Sequence, residues 1–174
     1  LAVDAEGNVY ISDQQRVGKI QRSTGIISTV AGGGTRPIPP YPMGEDLGDG
    51  GPATDAVFIH TGGLAVDSAG NIFVADGGTR RVRRVDRTSG IVTTVAGNGT
   101  CGFSADGVRA TAAALDIGFG IAVDAVGNLL ICETGNHTIR RIDAVTGIAL
   151  DGHGSLYIAD TGNGRVRVVH GPLP

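Results

Sequence analysis

The feature that most constrains this chain is an internal repeat. A segment similar to LAVDAEGNVYISD occurs four times without gaps, at Leu1–Asp13, Leu64–Asp76, Ile121–Glu133 and Ile148–Asp160. Self-similarity of this kind is typical of repeat architectures, in which each unit buries its apolar surface only against its neighbours. The repeat therefore predicts a stacked, modular fold.

Each full unit predicts four antiparallel strands. The first strand ends in Asp and is followed by a turn that contains Gly and Asn, which supply unusual backbone dihedrals. The second strand is apolar on both faces and must be covered on both sides. The third strand is rich in Arg, and the fourth is β-branched and ends in Ala-Gly. We predict an all-β protein, a β-propeller of four-stranded antiparallel blades, of which about three and a half are present.

The domain organisation follows from the repeat. The whole chain, 1–174, is predicted to be one partial propeller domain, with blade units at about 1–31, 64–97, 121–147 and 148–170 and linkers at 32–63 and 98–120. The linkers share related cores, GDGGPATDAVF and SADGVRATAAAL. Each core predicts a short helix that begins after Asp49 or Asp106, with that Asp as the cap and Pro52 in the first turn.

The junction between the third and fourth blade units, here called the third junction, departs from the pattern. Thr146-Gly147 runs directly into Ile148, so a fourth strand and a linker are missing there. Two explanations stay open, a genuine deletion and residues left out of the sequence. We favour the second, which predicts that the Cα atoms of Gly147 and Ile148 lie well beyond the ~3.8 Å of a trans peptide. Incomplete blades would expose apolar faces, so we expect self-association or a longer chain.

Charge and composition exclude several classes of function. The net charge is −3 and the chain has only 3 Tyr, 4 Phe and no Trp. A nucleic-acid surface needs positive charge and aromatic stacking platforms, so we predict no nucleic-acid partner. No apolar run approaches the ~18 residues that cross a bilayer, so we predict no membrane span.

Several motifs together resemble the NHL-repeat family of β-propellers. They are VDAEGN, VDSAGN and VDAVGN, the strand ends ISD, VAD and IAD, the segment TGNHTIRRID and the linker GDGGPAT. The resemblance covers essentially the whole chain. It implies a propeller that is commonly six-bladed, so these blades are predicted to be part of a six-bladed ring. It also implies an extracytoplasmic or secreted location, and it implies no single activity.

Strand direction sorts the candidate binding residues onto two faces of the propeller. The carboxylates that end the second strands share their face, here called the linker face, with the long linkers. Loops of varied length and sequence favour binding there. The predicted ligand-binding residues on the linker face are Asp13, Asp76, Glu133, Asp160, His60, His137 and Tyr41.

These residues have a simpler interpretation as well. A ring of carboxylates could hold calcium, but an Asp repeated in every blade more often anchors its turn by accepting backbone N–H groups. His60 and His137 are too few for zinc, which needs three or four protein ligands. We therefore predict no cofactor, no metal and no catalytic residue. A disulfide between Cys101 and Cys132 is left open.

The third-strand arginines are the last repeated feature. We expect them to lay their stems over neighbouring blades and to pair with carboxylates such as Asp86 and Asp143. The leading hypothesis is a non-enzymatic binding or scaffold propeller that presents its loop-rich face to a protein or a surface polymer. The alternative is a metal-dependent lyase or hydrolase acting at the mouth of the propeller channel, and the third hypothesis is an RNA-binding propeller.

Overall fold

A computed structural model describes residues 1–34, 47–118 and 120–143, together with the backbone of three later strands. The fourteen strands in chain order are β1 Ala2–Val3, β2 Val9–Asp13, β3 Arg16–Ile20, β4 Ile27–Ala31, β5 Thr61–Val66, β6 Ile72–Asp76, β7 Arg81–Val85, β8 Val92–Ala96, β9 Ile121–Val123, β10 Leu129–Glu133, β11 Thr138–Ile142, β12 Val145–Leu150, β13 Leu156–Asp160 and β14 Arg165–Val169. The all-β prediction is confirmed. Within the described ranges, no helix is long and apolar enough to cross a membrane.

The strands form antiparallel sheets in simple up-and-down order. The first two sheets have four strands each, β1-β2-β3-β4 and β5-β6-β7-β8. The third has the order β11-β10-β9 and the fourth the order β12-β13-β14. These sheets are the blades of a partial β-propeller, as the repeat predicts.

The core lies between successive blades. One buried cluster joins the first two blades and includes Tyr10, Val17, Val74 and Val92. A second cluster joins the second and third blades and includes Val82 and other apolar side chains. Every residue of β6 is buried, because that strand has a blade on each side. The prediction of a doubly buried second strand fails for β2, where Ile11 is 36% exposed, since only one side of the first blade is covered in the described structure.

The turn between the first two strands is built by an Asp–Asn pair. The Asp67 Oδ1 atom accepts the Asn71 backbone N–H at 2.8 Å, and Asp67 Oδ2 accepts the Asn71 side-chain amide at 2.7 Å. Asn71 Oδ1 in turn accepts the backbone N–H of Arg87 at 3.1 Å. Gly70 has φ +85°, and a Cβ there would lie 2.5 Å from the Arg87 side chain. The same turn occurs at Asp4–Asn8 and Asp124–Asn128, so in each of the first three blades the first-strand Asp anchors its turn by accepting a backbone N–H.

This turn gives a first stability prediction. Asn71→Ala removes the two side-chain hydrogen bonds of a residue that is 7% exposed, and it leaves the Arg87 N–H without its acceptor. We expect the free energy of unfolding to fall by about 2 kcal/mol, measured by urea denaturation. The control is Ser89→Ala, which removes an exposed hydroxyl bonded to Asp86. An equal loss in the two variants would contradict this account of the turn.

The linkers contain 3₁₀ turns, at Ala53–Asp55 and Ala110–Ala112. The expectation that Asp49 and Asp106 cap helices is wrong. The residues at the N-cap positions are Pro52 and Arg109, and neither makes a side-chain capping bond. Asp49 and Asp106 instead form ion pairs with Arg83 and Arg140 of the blades that follow them.

Strand β12, Val145–Leu150, contains both Gly147 and Ile148, with a register shift between Val145 and Gly147. The expectation that residues are left out of the sequence between Gly147 and Ile148 stays a prediction. The third blade keeps three strands because the segment that follows it pairs with β13 instead of β11.

Candidate functional site

The carboxylates that end the second strands differ in exposure. Asp76 and Glu133 are completely buried, whereas Asp13 is exposed. Asp76 Oδ1 accepts the backbone N–H of Ile59 at 2.9 Å, and Glu133 Oε1 accepts that of Asp116 at 3.1 Å. Both donors belong to the linker that precedes the blade. These two carboxylates therefore anchor the linkers to the blades and offer no accessible surface to a ligand.

One buried arginine completes the anchor in the second blade. The Arg83 side chain is fully buried, and its Nε atom donates to Asp49 Oδ1 at 2.8 Å. Its Nη2 atom donates to the carbonyl oxygen of Leu47 at 3.5 Å. The guanidinium also lies 5.4 Å from the centre of the Phe58 ring, within the range of a cation–π contact. One side chain thus holds three separate points of the first linker.

The third blade repeats this arrangement with Arg140. Its guanidinium pairs with Asp106 at 3.2 Å and with Glu133 at 3.3 Å, and it donates to the carbonyl oxygen of Ser104 at 2.8 Å. It lies 5.3 Å from the centre of the Phe103 ring. In both blades the carbonyl partner lies 36 residues before the arginine. Two of the third-strand arginines, Arg83 and Arg140, therefore hold a linker against its blade, and we call each of them a linker clamp. This role was not predicted from the sequence.

The expected pairing of the other arginines with nearby carboxylates is confirmed. Arg84 Nη2 lies 2.9 Å from Asp86 Oδ2, and Arg141 Nη2 lies 2.7 Å from Asp143 Oδ1. These pairs are half-exposed.

Burial sets the protonation behaviour of Asp76. Loss of water contact raises the pKa of Asp76 to about 6, although hydrogen bonds from Ile59 and Thr79 and the charge of Arg83 act in the opposite direction. Asp76 Oδ2 and Arg83 Nη1 are both buried without a hydrogen-bond partner in the described structure. The anchor therefore holds a buried carboxylate and a buried guanidinium, each with one atom that lacks a hydrogen-bond partner in the described structure.

The turns after the second strands form the exposed part of the linker face. Gln14, Arg80 and His137 each adopt a left-handed backbone conformation, with φ of 37°, 56° and 54°. This conformation is uncommon for residues other than Gly, and it is often held at functional sites. Arg80 and His137 each directly precede the third strand of their blade, so the second and third blades present a guanidinium and an imidazole on the same backbone at equivalent positions. The turn of the first blade is shorter, and Gln14 lies two residues before Arg16.

The histidines predicted at this face are both exposed. His60 directly precedes β5 and has φ of 56°, and His137 lies in the turn before β11. Within the described side chains, no three His, Cys, Asp or Glu residues are grouped as a metal site would require. Tyr41 and the side chain of Asp160 lie outside the described residues. Cys101 and Cys132 are free thiols, so the structure contains no disulfide between them.

Comparisons with known proteins agree with this architecture. A family model of the Teneurin NHL domain matches residues 30–104. Over 140 residues the chain is 30% identical to Protein SUPPRESSOR OF QUENCHING 1, chloroplastic, from Arabidopsis thaliana, an alignment that covers 77% of this chain and 12% of that protein. Over 107 residues it is 36% identical to Teneurin-3 from Danio rerio, covering 56% of this chain and 4% of that protein.

A solved structure supports the same fold. A structural genomics protein of unknown function from Bacteroides thetaiotaomicron superposes with a TM-score of 0.62 at 26% sequence identity, covering 78% of this chain and 32% of that one. The chain thus spans 12% and 4% of the length of these two relatives and 32% of this solved structure.

Proposed function

The chain belongs to the NHL-repeat family of β-propellers, and from that premise we propose that it is a non-enzymatic binding or scaffold module. Its linker face would contact another protein or a surface polymer. The observation that carries this proposal is the pair of turns at Arg80 and His137, which share a left-handed backbone at equivalent positions and differ in side chain. A fixed backbone with varied side chains is what a recognition surface requires.

The buried anchors support the proposal because they make this face rigid. Each linker is tied to its blade by a buried carboxylate and an arginine, so the exposed turns lose little conformational entropy when a partner binds. We assign ligand contact to the exposed residues Asp13, His60 and His137 and an anchoring role to Asp76 and Glu133. Tyr41 and Asp160 remain predicted contacts.

We also propose an extracytoplasmic or secreted location, on the basis of the family. One relative carries the word chloroplastic in its name, so an organellar location is the main alternative. Attachment of a fluorescent protein and imaging in the source cells would separate the two.

The binding proposal is tested by variants on the two faces of the propeller. The probes are immobilised heparin, chitin, peptidoglycan and a set of purified secreted proteins, measured by biolayer interferometry. For any probe that binds, we expect His137→Ala combined with Gln14→Ala to weaken binding at least roughly fivefold, because about 1 kcal/mol of polar contact is lost.

The matched control lies on the opposite face. Val126 is 50% exposed in the turn that follows β9, and Val126→Ala is expected to leave the affinity unchanged. Equal losses from the two faces, or binding that only the control affects, would contradict the assignment of the linker face.

A further inference from the structure

The third blade has a vacant position at its outer edge. The first two blades each end in a fourth strand, β4 or β8, but the third sheet stops at β11. The outer edge of Thr138–Ile142 therefore has no strand beside it in the described structure. An open strand edge is a template for pairing with another chain.

The second blade shows what occupies the equivalent position. Strand β8 lies between β7 and the first linker, and it bonds to both. Gly50 N donates to the Val92 carbonyl at 2.8 Å, Val92 N donates to the Gly51 carbonyl at 3.1 Å, and Ala53 N donates to the Gly90 carbonyl at 2.8 Å. The fourth strand thus fills a slot whose two walls are a strand and a linker.

The third blade retains both walls of this slot. Gly107, Val108 and Ala110 of the second linker follow Gly50, Gly51 and Ala53 by 57 residues, the spacing of the blade repeat. A cavity of about 530 Å³ lies between these residues and β11. Its walls therefore present the backbone groups that hold β8 in the second blade.

The floor of the cavity also matches. In the second blade, Val92 is fully buried in a cluster with Ala53, Ala56, Phe58, Val74 and Val85. The cavity is lined by the residues 57 positions later, which are Ala110, Ala113, Leu115, Ile131 and Ile142. Val85 is 4% exposed, whereas Ile142 is only half-buried. The space is therefore shaped for a β-branched side chain that this blade lacks.

No segment among the described residues fills the slot. Thr146-Gly147-Ile148 aligns with Ser89-Gly90-Ile91, the start of the fourth strand in the second blade. In the structure, however, Ile148 pairs with Ile158 of β13. Because a strand cannot occupy both positions at once, the shortened junction leaves the slot open.

We propose that the cavity between β11 and Gly107–Ala110 is a strand-docking site for a separate polypeptide. The occupant is an extended, uncharged, β-branched segment of the pattern found at Gly90–Gly97, lying antiparallel to β11. A second copy of this chain is a poor donor, because releasing its own β8 would expose the buried Val92. This site lies at the blade edge and is independent of the surface assigned under the proposed function.

The test uses a fluorescent peptide of sequence GIVTTVAGNG and the 174-residue protein, followed by fluorescence anisotropy. We expect saturable binding. A peptide with Pro in place of its first Val should not bind, because Pro removes the N–H that reaches the linker and breaks the strand. Absence of saturable binding, or equal binding of the Pro peptide, would overturn the proposal.

A protein variant tests the linker wall. Ala110→Pro removes one slot-facing N–H at the first position of a 3₁₀ turn, where Pro is tolerated, and Arg109 already has the extended φ of −60° and ψ of 136° that a following Pro needs. We expect peptide affinity to fall roughly tenfold. Ala125→Pro, in the distant turn after β9, is the matched control and should bind as the wild type does. Unchanged binding by Ala110→Pro would contradict the slot.

A second measurement does not depend on the variant. Hydrogen exchange of the wild-type protein should show the amides of Thr138–Ile142 and of Gly107–Ala110 becoming protected when the peptide is added, with no change in the turns at Gln14 and His60. Protection confined to residues outside these two segments would overturn the site. Self-association that competes with the peptide in sedimentation would assign the slot to a second copy and overturn the proposed occupant.

Discussion

Replacing Arg83 with alanine is expected to lower the free energy of unfolding by about 3 kcal/mol. The side chain is completely buried, pairs with Asp49 and lies over the Phe58 ring. Its loss leaves a large cavity and releases the first linker from the second blade. The measurement is urea denaturation at pH 7, with the m-value checked for two-state behaviour.

The neighbouring arginine provides the matched control for this experiment. Arg84 pairs with Asp86 at 2.9 Å, but both side chains are about one-third exposed. Arg84→Ala should cost less than about 1 kcal/mol, because exposed ion pairs contribute little. If Arg84→Ala were as destabilising as Arg83→Ala, the linker clamp would not be the source of the loss.

The second large effect is a pH dependence that comes from Asp76. Its pKa is raised from 3.8 to about 6 in the folded protein, chiefly because burial disfavours the charged form. A raised folded-state pKa contributes stability at low pH that is lost as the pH increases through about 6. We expect this residue to lower the free energy of unfolding by about 2 kcal/mol between pH 4 and pH 7.

Asp76→Asn tests this effect because the amide keeps an acceptor for the Ile59 N–H and does not ionise in this range. The stability of the variant relative to wild type should increase as the pH rises from 4 to 7. Asp86→Asn is the control of opposite sign, because hydrogen bonds from Ser89 hold the pKa of Asp86 below its usual value. If Asp76→Asn and the wild type showed the same pH dependence of stability, the pKa of Asp76 would not be shifted by folding. That result would contradict the prediction.

The two experiments are linked through one electrostatic contact. The charge of Arg83 lowers the pKa of Asp76, so Arg83→Ala should move the pH-dependent loss of stability to higher pH. A shift in that direction would show that the charges of Asp76 and Arg83 interact in the folded protein. An unchanged pH dependence in Arg83→Ala would show that they do not.

The fold could be predicted from the sequence because the four copies of the repeat can be aligned with one another. Four copies of one strand–turn–strand segment show where strands begin and end, and the doubly apolar β6 can only lie between two blades. The intrinsic strand and helix propensities of the residues added little to this prediction. The β-propeller follows from the need of each blade to bury two apolar faces.

The candidate site was only partly accessible. Asp76 and Glu133 were predicted as ligand-binding residues of the linker face, and their burial against the linkers was not expected. A signal was present, since Asp49 and Arg83 are separated by the same 34 residues as Asp106 and Arg140. That constant spacing pairs each linker with the following blade, and it could have indicated the clamp.

The sequence by itself determined the repeating unit, the antiparallel order of the strands and the places where linkers leave the blades. These properties are local, because they depend on apolar periodicity and on turn residues such as Asp67 and Asn71. Only the tertiary structure decided which carboxylates are buried and where the apolar cavity beside β11 lies. Burial and cavities depend on which surfaces meet in space. Equivalent residues of two repeats can therefore differ, because one has a neighbouring blade on both sides and the other on only one side.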